Sequence, residues 1–193
     1  MKIARHLKAA AISLVWLAVL PCLPLRAQMS LDIYHRAPFA DAAAKGDSAK
    51  VRGFIASGQS PNAVDLEGRP AIMLAALYNH VEVVEALVEA KVRADARDKL
   101  GNTALLVASE RGFDRVVDLL LQGKANPSLD NKQGNTPLIL AAQKGHVRVV
   151  DALIKAGAKL DQTDLTGRTA LEWAETNNRR AVVDMLKRAG AKS

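Results

Sequence analysis

Residues Gly134 to Ala158 read GNTPLILAAQKGHVRVVDALIKAGA, and this stretch decides the fold. Thr136 carries a hydroxyl that can accept a hydrogen bond from the first turn of a helix. Pro137 follows at the position where a missing N–H costs nothing. A short first helix is therefore predicted to begin there. Gly145 supplies the left-handed backbone conformation that ends it, and Val147, Val150, Leu153 and Ile154 then give the apolar stripe of a second helix that stops at Gly157. The segment reads as helix, turn, helix.

The same pattern recurs along the chain. Gly68, Gly101, Gly134 and Gly167 are spaced by 33 residues, and each lies three residues after Asp65, Asp98, Asn131 or Asp164. In that register Ala42, Ala75, Ala108, Ala141 and Ala174 recur, as do Val51, Val84, Val117, Val150 and Val183. Phe54, Leu87, Leu120, Leu153 and Leu186 complete the ladder. Five units follow, at about 32–64, 65–97, 98–130, 131–163 and 164–193. A unit this short cannot bury its apolar face alone, so units must stack on one another. The linking stretches, such as Ser128 to Gly134, are rich in turn residues and predict tight projecting loops. The fold class is all-α, a solenoid of about five helix-turn-helix units with projecting β-turn loops.

These motifs resemble those of the ankyrin-repeat family, whose signature runs Asp-x-x-Gly-x-Thr-Pro-Leu-His, then Ala-Ala, Gly-His, Val-Val and Leu-Leu. The resemblance covers about 160 of the 193 residues. The histidine after leucine is replaced throughout, by Met73, Leu106, Ile139 and Glu172 in units two to five. The Thr–His hydrogen bond of the family is thereby absent, while the stacking face is kept. Lys50 stands where other units place Val83, Val116, Val149 and Val182, and Lys187 where they place Ile55, Val88, Leu121 and Ile154. Lysine at these sites suits an outer face turned to water, so units one and five are predicted to cap the array.

Ahead of the repeats, 1–27 reads as a secretory signal peptide. Lys2, Arg5 and Lys8 form a positive start, Ala9 to Leu20 an apolar run, and Pro21 and Pro24 precede a Leu25-Arg26-Ala27 cleavage sequence. Cleavage is expected after Ala27, leaving a lead-in at 28–37 and a repeat domain at 38–193. The apolar run falls well short of the roughly 20 residues that span a bilayer, so no stable membrane anchor is expected after cleavage. The sole cysteine, Cys22, lies in this leader, so the mature chain would rely on packing rather than disulfides. The leader also explains the basic charge. Of 27 Lys and Arg residues four lie in 1–27, and the remaining 23 face 20 Asp and Glu, about +3 against +7 for the whole chain. A nucleic-acid partner is disfavoured by that small charge and by the lack of alternating aromatic and basic residues.

Catalytic chemistry finds no foothold. His80 and His146 lie two units apart, about 20 Å at 8–10 Å per helix layer, too far to share a metal ion. Asp65, Asp98 and Asp164 are expected to bond backbone N–H groups in their turns. No nucleophile, base and orienting group converge, and no glycine-rich phosphate cradle follows a strand. No metal and no cofactor are predicted, and the chain is read as a non-enzyme. Trp173 replaces the aliphatic Leu74, Val107 and Leu140 of other units and is expected in the core.

What remains is surface. In ankyrin proteins the usual recognition face is the concave one, built from turn tips and the exposed side of each first helix. The resemblance implies that Leu66, Glu67, Arg69, Leu77 and Tyr78 contribute from unit two, and Lys99, Leu100, Asn102, Glu110 and Arg111 from unit three. Unit four supplies Lys132, Gln133, Asn135, Gln143 and Lys144, and unit five Leu165, Thr166 and Arg168. Six of these are basic and two acidic, which fits a protein partner with an acidic rim. The expected role is a monomeric, non-catalytic protein-binding scaffold of the periplasm, with full secretion as the alternative location. The alternative roles are an inhibitor or immunity-type protein that blocks a toxin or enzyme, and a secreted effector that binds a host protein.

Overall fold

The computed structural model describes residues 38–192; the expected leader at 1–27 and the lead-in at 28–37 lie outside them. Ten helices form in pairs among the described residues: α1 (Pro38–Lys45) with α2 (Ser48–Ala56), α3 (Ala71–Leu77) with α4 (Val81–Glu89), and α5 (Ala104–Arg111) with α6 (Asp114–Gln122). The series ends with α7 (Pro137–Lys144) and α8 (Val147–Lys155), then α9 (Ala170–Thr176) and α10 (Arg180–Arg188). The first helices stack in one layer in chain order, and the second helices stack in another.

Local chemistry sets each boundary. The Thr136 hydroxyl accepts from the Ile139 N–H at 3.2 Å, and Thr103 caps α5 by accepting from Leu106 at 3.3 Å. In unit five Glu172 replaces the family histidine with a reciprocal cap. Thr169 Oγ1 accepts from the Glu172 N–H at 3.2 Å, while Glu172 Oε2 accepts from the Thr169 N–H at 2.7 Å. Gly145 ends α7 at φ 85°, and Asn79 and Asn178 take the equivalent left-handed position at φ 58° and 56°.

The core is the periodic ladder. Ala75, Ala108, Ala141 and Ala174 are fully buried, and their small side chains let first helices approach closely. Val84, Val117 and Val150, with Leu87, Leu120, Leu153 and Leu186, are equally inaccessible. In unit one Phe54 is half-buried and stacks on Phe39 with ring centroids 5.8 Å apart. Lys50 and Lys187 point to solvent, and Val183 of the last repeat is only half-buried because no further repeat covers it among the described residues. The stripe of α8 differs in one place from expectation. Val149 is buried and Val147 is 37% exposed, because Val147 opens the helix and lies off the face that meets α6 and α10.

Polar stitches at the same period reinforce the stack. His80 Nε2 donates to the Ala44 carbonyl and His146 Nε2 to the Glu110 carbonyl, both at 3.0 Å, so each ring ties its unit to the one before. The preceding glycine makes room: a Cβ on Gly112 would lie 2.5 Å from His146 Nδ1. A second ladder runs through the loops. Asn62, Asp95, Ser128 and Asp161 accept from the N–H groups of Arg93, Asn126, Lys159 and Lys192 at 2.8, 2.9, 3.0 and 3.2 Å.

One core position breaks the apolar rule. Ser109 is fully buried and its hydroxyl meets no hydrogen-bond partner among the described residues, whereas units two and four place Ala76 and Ala142 there. Ser109→Ala should raise unfolding free energy by about 1 kcal/mol, since a buried unpaired hydroxyl costs about that or more. Leu120→Ala should lower it by about 2–5 kcal/mol. Urea titrations followed by circular dichroism check both.

Candidate functional site

Each projecting loop is built on one carboxylate or amide. Asp98 Oδ1 accepts from the N–H groups of Leu100 and Asn102, both at 2.8 Å. Asp65 does the same with Glu67 and Arg69, Asn131 with Gln133 and Asn135, and Asp164 with Thr166 and Arg168. These side chains are structural, as their turn positions predicted. Neighbouring hairpins also bond directly, the Lys132 N–H to the Leu100 carbonyl at 3.1 Å and the Leu165 N–H to the Gln133 carbonyl at 3.0 Å. The tips of units three to five are thus held in a common register.

The residues expected on the face divide into groups. Leu66, Leu100 and Leu165 stand out at the tips with 67, 61 and 78% exposure, and Tyr78, the residue that caps α3, is 53% exposed. Lys99 and Lys132 on the tips and Arg111 and Lys144 at the ends of α5 and α7 are exposed and make no ion pair among the described residues. Asn102, Glu110, Gln133 and Asn135 come together around one recess between hairpins and first helices, floored by Leu106, Val107 and Leu140. Other residues are committed within the fold. Arg69 forms ion pairs with Asp65 at 2.7 Å and Glu67 at 3.1 Å. Leu77 and Gln143 are half-buried, and the Gln143 carbonyl accepts from Arg179 Nε at 3.3 Å. Thr166 donates its hydroxyl to Asp164 Oδ1 at 2.6 Å.

Two features of the face were not anticipated. Asn131 is buried in its turn and donates its amide to Asn102 Oδ1 at 2.9 Å, so the recess wall is bonded across two hairpins. Trp173 packs against the edge of the core but does not lie within it. It is half-buried, donates Nε1–H to Asp164 Oδ2 at 2.7 Å, and carries the Arg168 guanidinium 4.8 Å from its ring centroid. The register was divided here: Leu74 at the same position is buried, whereas Val107 and Leu140 are half-buried and line the recess. An aromatic too large for that position extends outward toward the hairpin.

Burial works against the ionised form of Asp164, yet the hydrogen bonds from Thr166, Trp173 and Arg168 outweigh it and hold the carboxyl below the usual aspartate range. Asp65 is likewise lowered, its burial offset by the backbone and guanidinium of Arg69 and by the Glu67 N–H.

A family model for ankyrin repeats, three copies, matches residues 39–131 and again 106–193. The chain belongs to the ankyrin-repeat family. No curated protein matches it. Ankyrin repeats generally mediate protein–protein interaction, and their proteins are typically non-catalytic, so the array is a protein-binding scaffold. Among the described residues no group of three or more His, Cys, Asp or Glu is placed to hold a metal ion, and no helix is long and apolar enough to cross a membrane.

The lowered carboxyls give a pH prediction. A folded-state pKa below the unfolded value near 3.9 contributes stability above about pH 4 that is lost as pH falls through the folded value. Asp164→Asn should therefore flatten the acid limb of a Tm-against-pH curve. At neutral pH it should cost about 1–3 kcal/mol by removing the charged acceptor of Trp173. An acid limb as steep as wild type would assign the sensitivity to other carboxyls.

Proposed function

We propose that this ankyrin array is an exported scaffold that holds a protein partner of acidic surface on the face formed by its hairpin tips and first helices. One observation carries the reading: Lys99, Arg111, Lys132 and Lys144 make no ion pair among the described residues and stand among the exposed Leu66, Tyr78, Leu100 and Leu165. Cations left without internal partners cost little while hydrated and gain most when a partner's carboxylates arrive, which steers encounter and selects against basic surfaces. Apolar side chains between them supply the contact area that charges alone do not. Of the two acids expected on this face, Glu67 is ion-paired with Arg69, which it shares with Asp65. The hydrogen-bonded tips add pre-organisation, so little ordering entropy is lost on binding.

The compartment follows from the leader. A positive start, an apolar run and an Ala27 junction support export with removal of residues 1–27, to the periplasm in a cell with two membranes and otherwise to the medium. A mature domain without cysteine suits an oxidising compartment, where it has no thiol to mispair. The role is non-catalytic, and the array acts as a monomer.

Affinity capture from a periplasmic extract of the source cell tests the binding role, with wild type compared against Tyr78→Ala plus Arg111→Glu. An acidic protein held by wild type and lost by the folded double variant is the expected result. Equal retention by both would place the interface elsewhere on the array. Mass spectrometry of the exported chain should find Gln28 at its start, and an intact leader on the mature protein would overturn the proposed processing.

A further inference from the structure

Units two and five build their turns on the same aspartate and arginine and differ at two positions that bear on the arginine: Glu67 against Thr166, and Leu74 against Trp173. Unit two has Asp65, Arg69 and Leu74; unit five has Asp164, Arg168 and Trp173 at the same three positions. In unit two the guanidinium folds back onto its own turn, with Arg69 Nε donating to Asp65 Oδ2 at 2.8 Å and Nη2 lying 2.7 Å from the same oxygen. In unit five that oxygen is occupied by Trp173 Nε1–H at 2.7 Å. Arg168 makes no ion pair among the described residues and instead lies over the indole, 4.8 Å from its centroid.

We infer that Trp173 releases Arg168 from Asp164 and presents it as a pre-stacked carboxylate anchor for an acidic segment of the protein partner. A guanidinium lying on an aromatic face keeps its planar fork of donors free for a bidentate carboxylate, and its stacking restricts the side chain before binding. The ligand class follows from charge: Arg168 is exposed, as are Lys132 and Lys99 on the next two hairpins. At about 8–10 Å per repeat these three cations span about 16–20 Å, the reach of roughly six extended residues. A short acidic stretch of polypeptide is the occupant that meets all three. This inference rests on the proposed acidic partner and assigns where that partner's carboxylate is seated.

In unit two, where leucine takes the tryptophan's place and Glu67 adds a second carboxylate 3.1 Å from the guanidinium, the arginine is captured by its own turn. The test is a cycle on the full chain, read by fluorescence anisotropy at low salt with a labelled peptide of about ten residues alternating Glu and Ser, a length that covers the three hairpins. Arg168→Gln should weaken binding about fivefold, as expected for one well-placed exposed ion pair. Trp173→Leu should weaken it equally although Arg168 is still present. Adding Asp164→Asn to Trp173→Leu should restore most of the loss, because the capturing carboxylate is gone and Asn131 shows that asparagine supports this turn. Circular dichroism confirms that each variant folds.

Full affinity in Trp173→Leu alongside a loss in Arg168→Gln would overturn the release mechanism and leave the anchor. No effect of Arg168→Gln, with a loss in Lys99→Gln plus Lys132→Gln, would overturn the anchor and leave the acidic-partner reading intact. Absence of peptide binding by wild type, or equal binding of a DNA oligonucleotide of the same charge, would overturn both.

Discussion

Everything in this molecule depends on burial between adjacent repeats. A helix pair of about 17 residues has one apolar side and no interior of its own, so Val117 and Leu120 are inaccessible only because the neighbouring pairs α3–α4 and α7–α8 close over them. The first helices carry alanine at their contacts, which lets their axes come close, and the carbonyl-bound His80 and His146 tie units two and four to the units before them. Stability is then a sum of similar interfaces, and losing one weakens the whole array rather than a local patch.

The proposed recognition face inherits its rigidity from that stacking. The hairpins have few apolar contacts of their own and are held instead by one side chain each, Asp65, Asp98, Asn131 and Asp164, and by backbone bonds from tip to tip in units three to five. Turn carboxylates therefore have a structural duty, and the residues one or two positions later are left exposed. The turns depend on backbone groups at those positions, so a repeated scaffold of this kind can separate stability from specificity.

The fold was legible from the sequence because its signals recur. Gly134 and its counterparts mark the hairpins, Thr136 and Pro137 the helix start, and the Val150–Leu153 ladder the core, all in one 33-residue register. The exposure of Lys99, Leu100, Arg111 and Lys132 was legible at the level of position. Pairing was not. Arg69 and Arg168 occupy equivalent places, yet Arg69 is ion-paired with Asp65 and Glu67, while Arg168 lies over Trp173 and makes no ion pair among the described residues. Expecting Trp173 in the core followed its register with Leu74, Val107 and Leu140, but only Leu74 of these is buried, and the indole reaches past the core edge to Asp164. The loop ladder through Asn62, Asp95, Ser128 and Asp161 was hidden because three residue types share one role as hydrogen-bond acceptor.

The most direct test of the account is hydrogen–deuterium exchange of the chain, free and bound to the partner it retains from the extract. Added protection should be confined to the hairpins at 65–69, 98–102, 131–135 and 164–168 and to the ends of α3, α5 and α7, with the outer helices α4, α6 and α8 unchanged. Protection concentrated on those outer helices, with the hairpins exchanging as in the free chain, would contradict the assignment of the binding face.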